Sequence, residues 1–211
     1  MTNTLYCFGE SGNAYKAALA LELAGIDWTP RFVDFFAGEA RGEAYRAINP
    51  MGEVPALDAD GRILTQSGVI QAWIMDETGR LCGDGGPATR RDILRWTIFD
   101  NQKVSGMAGP LRFVMNFLPE EKRSADVIAW LSGRLHAALG VLEGQLSARD
   151  WLVGDGLSCA DISCCGYLFY EEPFTFDRAD YPAIDAWLGR IAATPGWKHP
   201  YDLMQRAFPG A

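Results

Sequence analysis

A serine and an asparagine stand where a short apolar stretch gives way to a helix-like one. Residues 10–16 read Glu-Ser-Gly-Asn-Ala-Tyr-Lys, after Leu5-Tyr6-Cys7-Phe8 and before an Ala- and Leu-rich run at 17–23. The first turn of a helix has unpaired backbone N–H groups and the positive end of the helix dipole. Such a turn favours an anion, a thiolate included. The hydroxyl of Ser11 can donate one hydrogen bond to a sulfur there and lower its pKa. Equally, Ser11 or Gly12 can simply cap the helix. On the turn alone both readings stay open.

Two further stretches hold groups of the same kind. In Asn49-Pro50-Met51-Gly52-Glu53-Val54-Pro55-Ala56-Leu57 a proline precedes a short strand and removes a ladder donor. A cis Val54–Pro55 bond is one reason for such a position, and it would leave the N–H and C=O of Val54 free for a peptide-like ligand. An edge-strand trans proline is the other reason. In Leu64-Thr65-Gln66-Ser67-Gly68, Ser67 brings a hydroxyl and an amide to the start of a helix, a place for a carboxylate or for a cap. A fourth stretch, Leu157-Ser158-Cys159-Ala160-Asp161-Ile162, reads as a folding signal. Ser158 and Asp161 have capping-box spacing, with Leu157 and Ile162 as a hydrophobic staple.

The elements that must position these groups follow from periodicity. Residues 5–8 read as a strand, and 13–24 as a helix with Ala14, Ala17, Ala18 and Leu21 on one face. Residues 28–35 read as a strand and 39–47 as a short helix. Residues 54–57 and 62–64 form a hairpin about Asp58-Ala59-Asp60-Gly61, and Ser67–Thr78 is helical. The glycine-rich break at 79–87 is a linker. Beyond it, helices are expected over 88–117, 120–147, 159–170 and 182–193. The division is therefore 1–79, linker 80–87 and 88–211: a small α/β domain followed by an all-α domain.

Composition removes several function classes. With 19 Lys and Arg against 27 Asp and Glu, the net charge of −8 disfavours nucleic acid and anionic membranes as partners. No basic leader and no apolar run near membrane-span length is evident. The five cysteines have no CxxC spacing and only two histidines exist, so no metal site is expected. Reduced, buried thiols fit a cytoplasmic protein.

Together these stretches resemble the glutathione S-transferase family over nearly the whole chain. NPMGEVPAL is similar to its third-strand motif with a cis-proline, TQSGVIQAWI to its glutamate/glutamine-serine motif, and LVGDGLSCADI to its helix-6 capping motif. The three fall in the family's order and spacing. ESGNAYK resembles the turn of theta-like and related bacterial groups, where a serine activates the thiol. The resemblance implies a thioredoxin-like N-terminal domain that binds glutathione as co-substrate, plus an all-α C-terminal domain. Serine and alanine, Ser11 and Ala14, stand where thioredoxin-like folds often carry a reactive cysteine pair, so no mixed disulfide can form there.

By position, Ser11 matches the catalytic, thiol-activating serine. Val54, held by Pro55, matches the backbone clamp, and Gln66 and Ser67 match the binders of the γ-glutamyl end. Ala40 departs from a position often held by histidine, leaving Arg41 as a candidate for the glycyl carboxylate. Glu53 stands where lysine is frequent. The acceptor site is expected along 88–117, with Lys103, Met107, Arg112 and Phe113 as candidates. The implied function is detoxifying conjugation of a small electrophile by a cytoplasmic homodimer. Asn13 motivates an alternative, a glutathione-dependent disulfide reductase or isomerase. A non-catalytic ligand-binding module of the same fold is a third reading.

Overall fold

The apolar stretch before the Ser11 turn forms strand β1 (Asn3–Cys7), and the turn opens helix α1 (Gly12–Ala24). The computed structural model describes residues 3–208. The chain divides into two units, one of Met1–Leu81 with Pro195–Ala211 and one of Cys82–Thr194. Division by sequence places 195–211 with the helices instead.

In the first unit, β1 and α1 are followed by β2 (Trp28–Phe32), a 3₁₀ turn at Glu39–Arg41 and α2 (Glu43–Arg46). Then come β3 (Ala56–Ala59), β4 (Arg62–Thr65) and α3 (Ser67–Thr78). The sheet order is β2-β1-β3-β4, with β1 parallel to β2 and antiparallel to β3. Register decides what this fold can do. Tyr6 pairs with Ala56, and Ala56 with Thr65. The chain therefore leaves β1 toward Ser11, enters β3 from Val54 and leaves β4 toward Gln66, all at one end of the sheet. Three segments far apart in sequence meet there because the strands pair in this register.

Some elements are shorter than their periodicity predicts. Beyond Phe32, the amide of Asp34 donates to the Glu39 carboxylate (2.7 Å) and Asp34 Oδ1 accepts from Ala37 N (2.9 Å), so the chain turns away from the sheet. Strand β3 starts at Ala56 rather than 54, because Pro55 has no N–H to give a ladder. The Val54–Pro55 bond is cis.

Helix α1 is buried nearly all round, although its sequence suggests one apolar face. The C-terminal segment explains this, since α9 (Pro200–Leu203; α4–α8 belong to the second unit) packs on α1. Tyr15 Oη donates to the Lys198 carbonyl (2.9 Å) and Lys198 pairs with Glu22 (2.5 Å). Small alanines let the layers approach, and a helix apolar on every side belongs in an interior.

The second unit is helical. Helix α4 (Pro87–Phe99) runs into a π turn at Asp100–Val104, then α5 (Ser105–Arg112) and a second π turn at Phe113–Phe117. A Cβ on Gly106 would stand 2.6 Å from the Asn101 carbonyl oxygen, so the first π turn needs a glycine there. Helix α6 (Ala125–Leu146) is long and apolar enough by composition to cross a membrane, which the sequence reading did not anticipate. Its buried Leu131, Leu135, Leu139 and Leu142 form one helical stripe, and it packs on α5 and α8 (Pro182–Ala192).

Helix α7 (Cys159–Cys165) starts at the capping box of Ser158 and Asp161. It ends well before residue 170, where the chain tightens as Leu168 N donates to the Cys165 carbonyl (2.8 Å). Asp161 is fully buried. Its Oδ1 accepts from Leu152 N (2.9 Å) and Trp187 Nε1 (3.0 Å), and its Oδ2 from Ser158 N (3.0 Å) and Oγ (2.8 Å). Burial pushes its carboxyl up, and the four donors oppose that shift. The carboxylate thus ties α7, α8 and the 152 loop together. Asp161→Ala leaves these buried donors unmatched and should destabilise the unit by roughly 3 kcal/mol or more, at ~1–3 kcal/mol for each buried group left unsatisfied. Chemical denaturation checks the loss. Wild-type stability in this mutant would show that the residue does not hold the fold.

Candidate functional site

Ser11 caps α1, with its Oγ accepting from Ala14 N at 3.1 Å. A hydroxyl has one proton and two lone pairs. Accepting the cap bond occupies a lone pair and leaves the proton available to donate. The two readings of this turn are therefore compatible. Ser11 is only 8% exposed, so its field acts in a medium less screening than water.

The residues before Ser11 are pinned from below. Gly9 N donates to the Gln205 carbonyl (2.6 Å). Glu10 accepts from Ala207 N (2.9 Å) and Phe208 N (3.0 Å), with Arg206 Nε at 3.8 Å. A Cβ on Gly9 would stand 3.0 Å from Tyr201 Cδ1 and 3.2 Å from the Arg206 Cα, so a side chain there would have to push the tail back. Sequence reasoning missed this anchorage. Its partners lie almost two hundred residues apart, and the tail offers no periodicity to announce it.

The Val54 segment is built by Tyr45 and Asn49, which sequence reasoning also missed. Tyr45 Oη (2.9 Å) and Asn49 Nδ2 (2.7 Å) both donate to the Glu53 carbonyl, while Asn49 Oδ1 accepts from Met51 N (3.1 Å). The Glu53 carbonyl and the Val54 N–H belong to one peptide unit, so two donors on its oxygen fix the direction of that N–H and polarise it. Neither the N–H nor the carbonyl of Val54 has a hydrogen-bond partner among the described residues. Tyr45 also packs in a small cluster with Val33 and Ala40, against which Tyr6, Phe35 and Val54 lie. The motif's Asn49, conspicuous in sequence, was a signal that this loop is organised by a side chain.

Gln66 has φ 70° and ψ 124°, a left-handed φ in a non-glycine residue. Such backbone strain is retained where surrounding structure fixes it, often at ligand clamps. Its Nε2 lies 3.0 Å from Met51 Sδ and 3.5 Å from Glu53 Oε2. Ser67 follows at the first position of α3 and is 4% exposed. Helix α3 thus presents a hydroxyl and the N–H groups of Ser67 and Gly68 at the same sheet end, while Val69 N already donates to the Gln66 carbonyl.

Other sequence candidates are placed as follows. Asn13 is half-buried on the first turn of α1. Arg41 is exposed, and Ala40 is buried. In the second unit, Lys103, Met107 and Phe113 are half-buried, with Lys103 in the first π turn. Arg112 is 1% exposed, pairs with Glu172 at 2.7 Å and lies 3.8 Å over the Tyr170 ring, so its charge is met inside that unit. All five cysteines are buried thiols outside any disulfide. Burial pushes the Cys7 thiol up to about 12, so it is no thiolate at neutral pH. No group of side chains suited to a metal ion occurs among the described residues.

The mixed sheet with helices on it and the helical second unit define a class. The glutathione S-transferase N-terminal domain family matches residues 1–76, and the glutathione S-transferase C-terminal domain family matches residues 107–195. The chain belongs to the glutathione S-transferase family, and its first unit is thioredoxin-like. A glutathione S-transferase structure from Pseudomonas fluorescens is 33% identical, with a TM-score of 0.86, covering 94% of this chain and 98% of that one. A glutathione transferase from Burkholderia graminis, whose crystal structure holds two glutathione molecules per subunit, is 27% identical with a TM-score of 0.82, covering 92% and 85%. Maleylacetoacetate isomerase of Pseudomonas aeruginosa is 27% identical over 98% of this chain and 99% of its own.

Proposed function

We propose that this protein is a glutathione transferase that holds glutathione at the shared sheet end of its first unit and presents the thiolate to a small electrophile. The observation that carries this reading is the Ser11 hydroxyl. It spends a lone pair on Ala14 and keeps its proton, at the N-terminus of a buried helix. The unpaired backbone groups of Val54 suit the cysteinyl part of glutathione, beside Pro55. Ser67 and the α3 N-terminus suit the γ-glutamyl carboxylate, and Glu53 with Gln66 suits its ammonium group. Arg41 is the candidate for the glycyl carboxylate. The helical unit supplies the acceptor candidates Lys103, Met107 and Phe113; Arg112 serves there by supporting its neighbours.

The chemistry asked of the site is modest. A free thiol has a pKa near ~8.5, so little is ionised at neutral pH. Lowering that by ~2 units takes ~2.7 kcal/mol. A hydroxyl donor and a helix N-terminus at ~1–2 kcal/mol each supply it. The thiol proton leaves to solvent, the sulfur lone pair forms the bond to carbon, and the electrophile takes up the displaced electron pair.

A second reading is a glutathione-dependent disulfide reductase or isomerase. Asn13 beside Ser11 favours it, as do the relative with two bound glutathiones and the relative named as an isomerase. Conjugation, disulfide-reduction and cis–trans isomerisation assays run side by side separate the two. We further propose a cytoplasmic homodimer with a detoxifying role. Leu94 and Ile98, one turn apart on α4, are more than half exposed and suit a covered face. Light scattering at micromolar concentration should give a dimer, and replacing both residues with glutamate should give a monomer. A monomeric wild type would overturn the dimer.

Ser11→Ala should raise the pKa of the bound glutathione thiol by about one unit and slow conjugation at neutral pH by about 10-fold. Glutathione affinity should change little, because the carboxylates are held elsewhere. Thiolate absorbance against pH reads the shift. An unchanged thiol pKa would leave Ser11 as a helix cap only.

A further inference from the structure

Helix α1 carries one charge in its apolar interior. Lys16 is fully buried, in a segment otherwise made of alanine, leucine and tyrosine. A buried ammonium is costly and is retained where it is hydrogen-bonded. Its Nζ donates to Oδ1 of Asn13 at 2.9 Å. The two residues are three apart, on one face of the helix. Side chains lean toward a helix's N-terminus, so the ammonium stands at the end where Ser11 caps.

This contact has a directional consequence. An ammonium only donates, so it takes the oxygen of the Asn13 amide. The amide NH₂ is thereby turned the other way, as a donor. Lys16 is inaccessible, whereas Asn13 is half-buried on the turn. The amide thus links an interior positive charge to the surface that holds Ser11. A charge behind an amide polarises it and strengthens its N–H as a donor. The ammonium stands at the helix end whose dipole is already positive, while the nearby Glu10 carboxylate is met by the Ala207 and Phe208 amides.

We propose that Lys16 is a positioning residue for thiol activation: it fixes the Asn13 amide as a second donor to the glutathione sulfur, beside Ser11, and adds its own field in favour of the thiolate. The inference rests on the glutathione-transferase reading above and assigns a role within that same site. Lys16 does not touch the sulfur. Its effect passes through Asn13 and through a poorly screening interior.

The test measures the pKa of the bound glutathione thiol by thiolate absorbance in wild type, Ser11→Ala, Lys16→Met, Lys16→Arg, Asn13→Ala and the Lys16→Met/Asn13→Ala double mutant. Glutathione affinity is measured in parallel by calorimetry. Lys16→Met should raise the thiol pKa by about one unit, a 10-fold loss of thiolate at neutral pH. Affinity should stay within about 3-fold, since no carboxylate contact is lost. Lys16→Arg should restore most of the shift, because the charge and donor return. The double mutant should show less than the sum of the two single shifts, as expected of residues acting as one unit.

A wild-type thiol pKa in Lys16→Met, with a shift in Ser11→Ala, overturns the inference while leaving the serine reading intact. Lys16→Arg no better than Lys16→Met assigns the effect to packing and overturns it too. Fully additive shifts break the link through Asn13. If Lys16→Met does not fold, Asn13→Ala decides, and an unchanged thiol pKa there removes the route from Lys16 to the sulfur. Absence of glutathione binding by the wild-type protein would instead defeat the transferase reading itself.

Discussion

The hydrogen bond from Ala14 N to Ser11 Oγ is the contact on which the site depends. It starts α1, and it sets the hydroxyl's geometry by using an oxygen lone pair rather than the proton. A cap and a sulfur donor are usually weighed as rival explanations of such a serine. Here the cap bond leaves the hydroxyl proton available for the proposed sulfur contact. Everything around the turn keeps that bond in place: the buried α1 behind it, the tail under Gly9 and Glu10, and the parallel β1–β2 pair that delivers the chain.

The second constraint is strand register. Binding a peptide-like ligand along an extended path needs groups from several segments at one end of a sheet. The Tyr6–Ala56–Thr65 row places Ser11, Val54 and Gln66 there. A one-residue slip would turn side chains to the opposite face and break the row. The site is therefore held by backbone pairing, with local side chains such as Asn49 and Tyr45 making the final adjustment. The buried Asp161 does equivalent work in the helical unit, where one carboxylate gathers four donors.

Much of this was legible in sequence because its signals are local. The boundaries of α3 follow from helical spacing and a serine start, and the capping box of α7 follows from the Ser158–Asp161 interval. Val54–Pro55 stood out because proline withholds a ladder donor, and the bond is cis. What stayed hidden is long-range. The docking of the tail on Glu10, the double donation to the Glu53 carbonyl and the burial of Lys16 all depend on tertiary neighbours. Arg112 reads as a ligand-facing cation in sequence, yet Glu172, sixty residues away, already holds it. Lys16 was the nearest to visible, as a charge within the apolar run of residues 14–21.

We propose that the first unit holds glutathione by backbone and hydroxyl groups at one sheet end. Backbone amide chemical shifts, followed by NMR as glutathione is added, test it most directly. The amides of Gly12, Asn13, Val54 and Ser67 should move together with a single affinity, Val54 most strongly because its N–H gains a partner. Unmoved Val54 and Ser67 amides at saturating glutathione, or shifts confined to residues 125–194, would contradict it.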